Sequence, residues 1–563
     1  MVRSDITASI IIFTTRIFPL PGVQHGKRII ASVIEARAEK NDDAPWVSLP
    51  IDEENISQGF IDISIRTFNN AANHAAHWLR KSLPETSEPF QKFAYAGPKD
   101  LRYPILAVAA AKLQKVLILP SPLVTAEAQR RILELQKCTV YLRPLAMKAQ
   151  VDAILHDAPR IQTIDIPNVE AFLKETEAEP VTYSKTWDEG KNDPWLVFHT
   201  SGTTGNPKPV TWTHRMMASI DMMAAAPNIK DSIVHRAANH RLFTPIPSLH
   251  LTGMMLILAT TSYVNMTAVL GPSTALTPAT VISVFQNTHI DGTLLPPALI
   301  DALCLSEAGL AALRSLSFLV YTGAPLAAKS AAMLTPYIPV VINGVGTTEA
   351  GGYFATHHEH RDADAYLWLS FAQQKGATFE PRTADGLHEL VFVRDDPATI
   401  SKDGDIDTDD EPVIFQTYPH LTRFETHDLW RPHPVHRDLW QIVGRTDDYV
   451  PLSHSDGLHA SLLEPEITAH PAVKTALIGG HGRAKPVLLV QLVEGTAASG
   501  FEVESLRPYV EKVNARVHEC VRLEMGRVIV ASEEKPFLYT AKQSVARMQS
   551  LKLYEAEIEA LEG

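Results

Sequence analysis

The stretch His199-Thr-Ser-Gly-Thr-Thr-Gly-Asn-Pro-Lys-Pro-Val-Thr-Trp-Thr-His214 follows an apolar run, Pro194-Trp-Leu-Val-Phe198, that has the character of a buried strand. Gly202 and Gly205 let successive backbone amides turn into one concavity. Thr200, Ser201, Thr203 and Thr204 add hydroxyl donors, and Lys208 adds a positive charge, which together suit a polyphosphate. The Gly-Lys-Ser/Thr ending of a Walker A loop is absent, which disfavours the P-loop NTPases. A plain Gly/Ser/Thr surface loop is the competing reading of these residues.

Outward from this segment, strand-like runs alternate with alanine-rich helical patterns. Phe93–Gly97, the helix candidate Pro104–Gln114 and the run Val116–Pro120 open a region to Leu142 that reads as β-α-β-α-β. Short strands with Gly-containing turns recur at Ser317–Tyr321 and Pro339–Ile342. Open α/β sheets bind ligands at such carboxyl ends. The stretch Arg394–Glu411, dense in aspartate, reads as a solvated loop, with a metal site as the alternative. Beyond Gly444-Arg445 the pattern changes to a compact tail. Strands are expected near Thr475–Ile478 and Pro486–Val493, a helix near Ser505–His518, and one amphipathic helix over Leu551–Leu561. The expected architecture is therefore α/β: a large N-terminal domain of β-sheets flanked by helices (1–444), then a small mobile α+β domain (445–563).

Composition bounds the function. The 563 residues are 45% apolar and 20% charged, which fits a folded protein and excludes disorder as the main state. A formal net charge of −13 argues against general nucleic-acid or anionic-membrane binding. Cys138, Cys304 and Cys520, far apart, form neither a disulfide framework nor a zinc cluster, which fits a reducing compartment. No apolar run reaches the ~18–20 residues of a membrane span. Ile6–Phe13 is too short and too closely bracketed by Asp5 and Arg16 for a signal peptide, and reads as a strand or an N-terminal arm. A cytoplasmic location is the expectation.

The phosphate-type segment resembles the corresponding loop of the adenylate-forming superfamily, which includes acyl-CoA synthetases, peptide-synthetase adenylation domains and luciferases. Further motifs follow in the family's order. Asn343-Gly-Val-Gly-Thr-Thr-Glu349 resembles "YGxTE", with Val345 for the aromatic, and Asp385-Gly-Leu-His-Glu-Leu-Val391 resembles the Gly-Glu-Leu strand. Thr426-His-Asp428 resembles "TGD", with His427 for glycine, and Gly444-Arg-Thr-Asp-Asp448 resembles the "GRxDD" hinge. The resemblance implies that Thr200, Ser201, Gly202, Thr203, Thr204 and Lys208 hold the phosphates of ATP. It implies that Thr348 touches the α-phosphate and that Glu349 holds Mg2+. Asp428 is implied to accept from the ribose hydroxyls, assisted by Arg445. Lys542, in Thr-Ala-Lys-Gln-Ser-Val-Ala-Arg547, corresponds to the lysine that bridges carboxylate and α-phosphate, although Ala541 replaces a glycine and Arg547 follows by five residues rather than three. A solvated lysine is the alternative, and Lys535 is a near rival.

His250, in Pro247-Ser-Leu-His-Leu-Thr-Gly253, matches the segment that gates the acyl pocket, with an ordinary core histidine as the other reading. Amino-acid-activating relatives place an aspartate where Leu251 stands, and an apolar residue cannot compensate an ammonium. The substrate implied is a small non-amino carboxylic acid, aryl in type. Pro297, Thr322, Gly323, Ala324 and Gly344 are further pocket candidates by position. The tail from Ser544 to Leu561 resembles the end of the adenylation domain in fungal peptide-synthetase-like carboxylate reductases. That likeness implies an acyl-adenylate passed to the phosphopantetheine thiol of a carrier domain, borne by a longer chain or by another molecule. A stand-alone acyl-CoA or aryl-CoA ligase and a non-catalytic binding module are the alternatives.

Overall fold

The computed structural model describes residues 22–561 apart from 41, 123, 201–206, 226–231, 274–275, 358–363, 383–385, 395–410, 454–456, 496–499 and 540–544. Ile6–Phe13 and the aspartates of the acidic stretch lie outside the described residues. Of that stretch, the flanking Arg394 and Glu411 form an ion pair. Among the described residues no helix is long and apolar enough to cross a membrane.

Two sheets share one core. The first has the order Val340–Gly344, Phe318–Thr322, Gly292–Leu295, Arg241–Phe243, Thr267–Val269, Pro45–Pro50, Phe60–Ser64, parallel except at its last pair. The second has the order Gln162–Ile166, Val140–Pro144, Lys92–Tyr95, Val116–Ile118, Pro194–His199, Pro209–Thr213, and only its final hairpin is antiparallel. The expected β-α-β-α-β region is thus present. Strands buried on both faces need apolar residues at every position, and alternation divides them between layers. Phe93 enters the shared core while Ala94 and Ala96 pack outward with Ile132 and Leu133. Val320 faces the shared core while Leu319 and Tyr321 face a separate outer cluster. Every residue of helix Arg102–Lys112 is buried, and its alanines let it lie close to Ala71, Ala72, Ala75 and Ala76 of helix Ile65–Ser82. The ammonium that this packing buries, Lys112, is met by Glu35, Asn69, Asn73 and the Val181 carbonyl.

A third, antiparallel sheet carries part of the site: Leu439–Arg445, Arg423–Pro432, His388–Val393 and Ala377–Pro381 are consecutive neighbours. Its chain then runs through the turn Thr446–Asp448 into a small α+β unit. There Val473–Gly479 and Val487–Leu492 pair antiparallel, and Val528–Val530 adds a parallel strand. Ala476, Ile478, Leu488 and Val490 face one apolar cluster, and Leu477, Val487 and Leu489 face the other. Arg445 ends its strand opposite Asp428, so a division at 444/445 falls on the last residue of the third sheet.

Two tail helices differ from expectation. Ser505–His518 resolves into a tight turn, Val503–Leu506, and a shorter helix, Arg507–Asn514. Pro508 restricts the residue before it, and Asn514 ends the helix by bonding the backbone N–H and C=O of Leu523. Leu551–Leu561 is not one helix but parts of two, Arg547–Leu553 and Glu555–Ala560. Tyr554 breaks the run because its ring is buried and its hydroxyl is drawn to the Lys535 carbonyl.

Candidate active site

Strands Pro194–His199 and Pro209–Thr213 form a hairpin whose long connection is the phosphate-type segment. Its neck is closed by reciprocal bonds: the Thr200 N–H donates to the Lys208 carbonyl (3.0 Å), and the Lys208 N–H donates to Thr200 Oγ1 (3.2 Å). Lys208 is exposed, while Ser201, Gly202, Thr203 and Thr204 lie outside the described residues. His199 anchors the neck to the neighbouring strand's end. Its Nε2 accepts from the Ser121 N–H (3.0 Å), which leaves Nδ1–H to donate to the Thr200 carbonyl (3.0 Å). Burial pushes the His199 pKa down, so the imidazole is held neutral in this tautomer.

Downstream of the hairpin, Trp212 donates from Nε1 to the Thr348 carbonyl (2.9 Å). Thr348 and Glu349 occupy the turn of a miniature hairpin in which Gly346 pairs with Gly352 and Thr347 with Gly351. A Cβ on Gly346 would lie 2.4 Å from the Gly351 carbonyl oxygen, so the two strands approach only because that side chain is missing. The Thr347 hydroxyl accepts from the Ala350 N–H (3.0 Å), and Thr417 donates to the Glu349 carbonyl (2.7 Å). Among the described residues no cation pairs with the Glu349 carboxylate. That leaves a hard oxygen donor on a rigid turn, which suits a magnesium ion.

Asp428 lies opposite Arg445 in the third sheet and accepts from its guanidinium at 2.9 Å. The Asp428 N–H donates to Thr426 Oγ1 (3.1 Å), and the carboxylate is almost wholly buried. Between them His427 adopts φ +63°, the left-handed conformation for which glycine is the easy choice. Its N–H donates to buried Glu389 (2.9 Å), and its Nδ1 lies 3.2 Å from the Thr446 hydroxyl, so the strained residue is held from both sides. The charges of Asp428 and Glu349 both reach the buried Tyr353. Burial drives that phenol's pKa well up, and both carboxylates push it further.

The acyl-pocket candidates gather at carboxyl ends of the first sheet. Thr322 and Gly344 end adjacent parallel strands, and Thr322 Oγ1 donates to the Gly344 carbonyl (2.6 Å). Gly323 turns the chain at φ +89°, Ala324 beside it is exposed, and buried Pro297 starts a helix two residues after strand Gly292–Leu295. His250 stands at the N-terminal end of the helix Leu251–Met254 without a side-chain capping bond, and Leu251 is buried. That helix passes into a single wide turn, Met255–Thr260, where the carbonyl of Ile257 accepts from Trp46 Nε1 at 2.7 Å. Lys542 lies outside the described residues. The base of its loop is defined by pairing of Tyr539 with Val545 and by the Ala546 N–H donating to the Leu538 carbonyl (2.7 Å). Lys535, the rival, is paired with Glu557 of the final helix.

Sequence reasoning missed Trp212, Thr417, Tyr353 and the Ser121–His199 bond. Trp212 stands inside the quoted segment and was legible as a residue, but its partner is 136 positions away. Family models described as "AMP-binding enzyme" and "AMP-binding enzyme C-terminal domain" match residues 34–368 and 447–562. The chain is 28% identical over 553 residues to the carboxylic acid reductase of Neurospora crassa, covering 95% of this chain and 51% of that protein. It is 24% identical to adenylate-forming reductase Nps11 of Serpula lacrymans, covering 95% and 49%. The chain therefore spans about half the length of these relatives. Among solved structures, the anthranilate CoA ligase AuaEII bound to anthranoyl-AMP superposes with a TM-score of 0.71 at 16% identity, over 95% of this chain and 98% of that one. A benzoate CoA ligase from Burkholderia xenovorans does so with a TM-score of 0.67 at 14% identity, over 93% and 99%. At such identities the likeness establishes the fold alone.

Proposed function

The chain belongs to the AMP-binding enzyme family, and from that premise we propose that it activates a non-amino, aryl-type carboxylic acid as its acyl-adenylate and passes the acyl group to a carrier domain's phosphopantetheine thiol. A carboxylate oxygen attacks the α-phosphorus of ATP, and pyrophosphate leaves with the electrons of the broken P–O bond. The thiol sulfur then attacks the acyl carbon, loses its proton, and AMP departs. Such chemistry asks the protein for positioning and charge rather than for a covalent group of its own.

In this reading Thr200, Ser201, Gly202, Thr203, Thr204 and Lys208 hold the outer phosphates. Thr348 meets the α-phosphate, and Gly344 leaves room beside it. Asp428, which accepts a hydrogen bond from Arg445, accepts from the ribose hydroxyls. Glu349 would hold Mg2+, whose charge offsets that of the phosphates. Lys542 bridges the carboxylate and the α-phosphate. His250, Leu251, Pro297, Gly323 and Ala324 wall the acyl pocket, and buried Leu251 offers nothing to an ammonium. The work is divided between residues 1–444, which bind ATP and acid, and a mobile lid, 445–563, and it takes place in the cytoplasm.

The observation that carries this reading is the convergence of three distant elements. The phosphate-loop hairpin is bonded to the Glu349 turn through Trp212, and the helix Val413–Thr417 is bonded to the same turn through Thr417. The test is acid-dependent exchange of pyrophosphate into ATP over aryl, aliphatic and amino acids, followed by acyl transfer to a phosphopantetheinylated carrier or to coenzyme A. Benzoic-type acids are expected to lead and the carrier to be acylated. A preferred proteinogenic amino acid overturns the pocket reading, preference for coenzyme A overturns the acceptor, and absence of exchange with every acid overturns the activity.

A further inference from the structure

The two body-linking residues on either side of Asp447 are held by opposite bodies. Thr446 lies with its hydroxyl 3.2 Å from Nδ1 of His427, a residue of the third sheet. Asp448 instead meets the small body, through Arg547 Nε at 3.2 Å from its Oδ1. Arg547 does more than pair with Asp448. Its Nη1 donates to Glu464 Oε1 (2.6 Å) and to the Ile478 carbonyl (3.3 Å), and its Nη2 donates to the other Glu464 oxygen. Glu464 in turn accepts from the Ile478 N–H at 2.6 Å. The Arg547 and Glu464 side chains are only 15% and 11% accessible. One guanidinium thus joins the hinge, the helix Ala460–Thr468 and the strand Val473–Gly479, with each of its three nitrogens engaged.

This brace has the character of a device for fixing geometry. A buried pair between one cation and two carboxylates adds little net stability, because desolvation offsets the attraction. What it does supply is direction: the planar fork admits only one orientation of its partners, which the point charge of lysine does not enforce. Arg547 also stands two residues beyond Val545, whose pairing with Tyr539 closes the base of the loop that carries Lys542.

We infer that Arg547 is a positioning residue for the reaction cycle: it clamps Asp448 to the small body as His427 clamps Thr446 to the large one, and so confines the turn between the bodies to Asp447. The inference rests on the proposed function, in which the mobile lid 445–563 serves adenylation and then thiol transfer. With a single pivot, the small body swings as one lever and returns to the same place over the nucleotide. With a loosened pivot, it samples orientations that serve neither half-reaction.

The test uses the full chain, with Asp448→Asn and Arg547→Lys made singly and together. Asp448→Asn leaves the Glu464–Arg547 pair in place, so folding is preserved even if Arg547→Lys proves unstable. Each single variant is expected to lower kcat of the overall reaction about tenfold. KM for ATP and for the acid should stay within about twofold, since both are held by the large body. The double variant should be no worse than the poorer single one, because both changes break the same clamp. A matched fall in kcat and in melting temperature, a rise in KM instead of a fall in kcat, or fully additive effects would overturn the inference. Lys542→Ala is assayed beside them. Retained exchange in that variant defeats the proposed role of the lysine, while loss there with normal kcat in Asp448→Asn defeats the clamp alone.

Discussion

At the proposed nucleotide end of the site, Asp428 is buried and accepts a hydrogen bond from Arg445 on the neighbouring strand, and Trp212 bonds the backbone of the turn that carries Glu349. At the proposed acyl end, Leu251 is buried as an apolar side chain, Gly323 bends the chain at φ +89°, and Thr322 ties one strand's end to the next. One end is organised by polar side chains with distant partners, the other by backbone turns and residue volume. A charged, directional network fails when one atom changes, because its partner is left buried and unpaired. A wall of turns and apolar volume changes its preference by degrees.

The sharpest break in that contrast is expected at Glu349. Glu349→Gln keeps the shape of the turn but removes the anionic oxygen, so exchange of pyrophosphate into ATP should fall by about 10²–10³ with unchanged melting. Near-normal exchange would remove Glu349 from the metal role.

The second effect is one of pH on the platform beneath the nucleotide end. His214, stacked 4.7 Å from Trp195, has its pKa pushed down to about 3 by burial. Between pH 6.5 and about 3 the unfolded chain takes up a proton that the folded chain refuses, so stability is lost as pH falls through that window. At pH 4 the loss is of order 3 kcal/mol. His214→Phe should flatten the acid limb of the stability curve measured by urea unfolding. An unchanged limb would show that other groups govern it.

Asp428→Asn ranks next. It retains size but weakens both the Arg445 contact and the proposed ribose contact, for which ~2 kcal/mol, or about thirtyfold in KM for ATP, is expected. An effect on KM for the acid instead would place Asp428 at the wrong end. At the acyl end, Leu251→Asp should lower kcat/KM for benzoic-type acids about tenfold and raise it for the matching amino acids. If both classes fall alike, Leu251 does not face the substrate. The mildest test is Trp212→Phe, which keeps the ring packing and loses one hydrogen bond of ~1 kcal/mol, or about fivefold in exchange rate. No change there would mean that the loop and the turn hold their relation without it.

Much of this was legible before the structure. The strand rhythm from Phe93 to Leu142 showed the β-α-β-α-β unit, whose strands the structure pairs in parallel, because each strand is buried on both faces and so is written as a short apolar run. Glu349, Asp428 and Arg445 stand out in the sequence as candidates because they sit in short motifs whose residue types the chemistry dictates. The helix expected over Leu551–Leu561 was misjudged because its apolar spacing says nothing of Tyr554, whose hydroxyl reaches the backbone of Lys535. His427 read only as a departure from glycine. Its reason is visible in the folded chain, where its N–H meets Glu389 and its ring meets Thr446.

Local pattern alone thus determined the layered α/β architecture, the family and the candidate residues for phosphate, ribose and metal, because periodicity, glycine positions and charged groups at set spacings are properties of neighbours along the chain. Only the tertiary structure decided that Trp212 bonds the Glu349 turn, that the charges of both candidate carboxylates reach Tyr353, and that one Arg547 guanidinium meets both Glu464 and Asp448. Those contacts join residues from about 70 to 140 positions apart, or bring separate motifs to one buried point. Hydrogen bonds and ion pairs reach only about 3 Å, so partners so far apart in sequence become partners only once the sheets have stacked and the chain has folded back on itself.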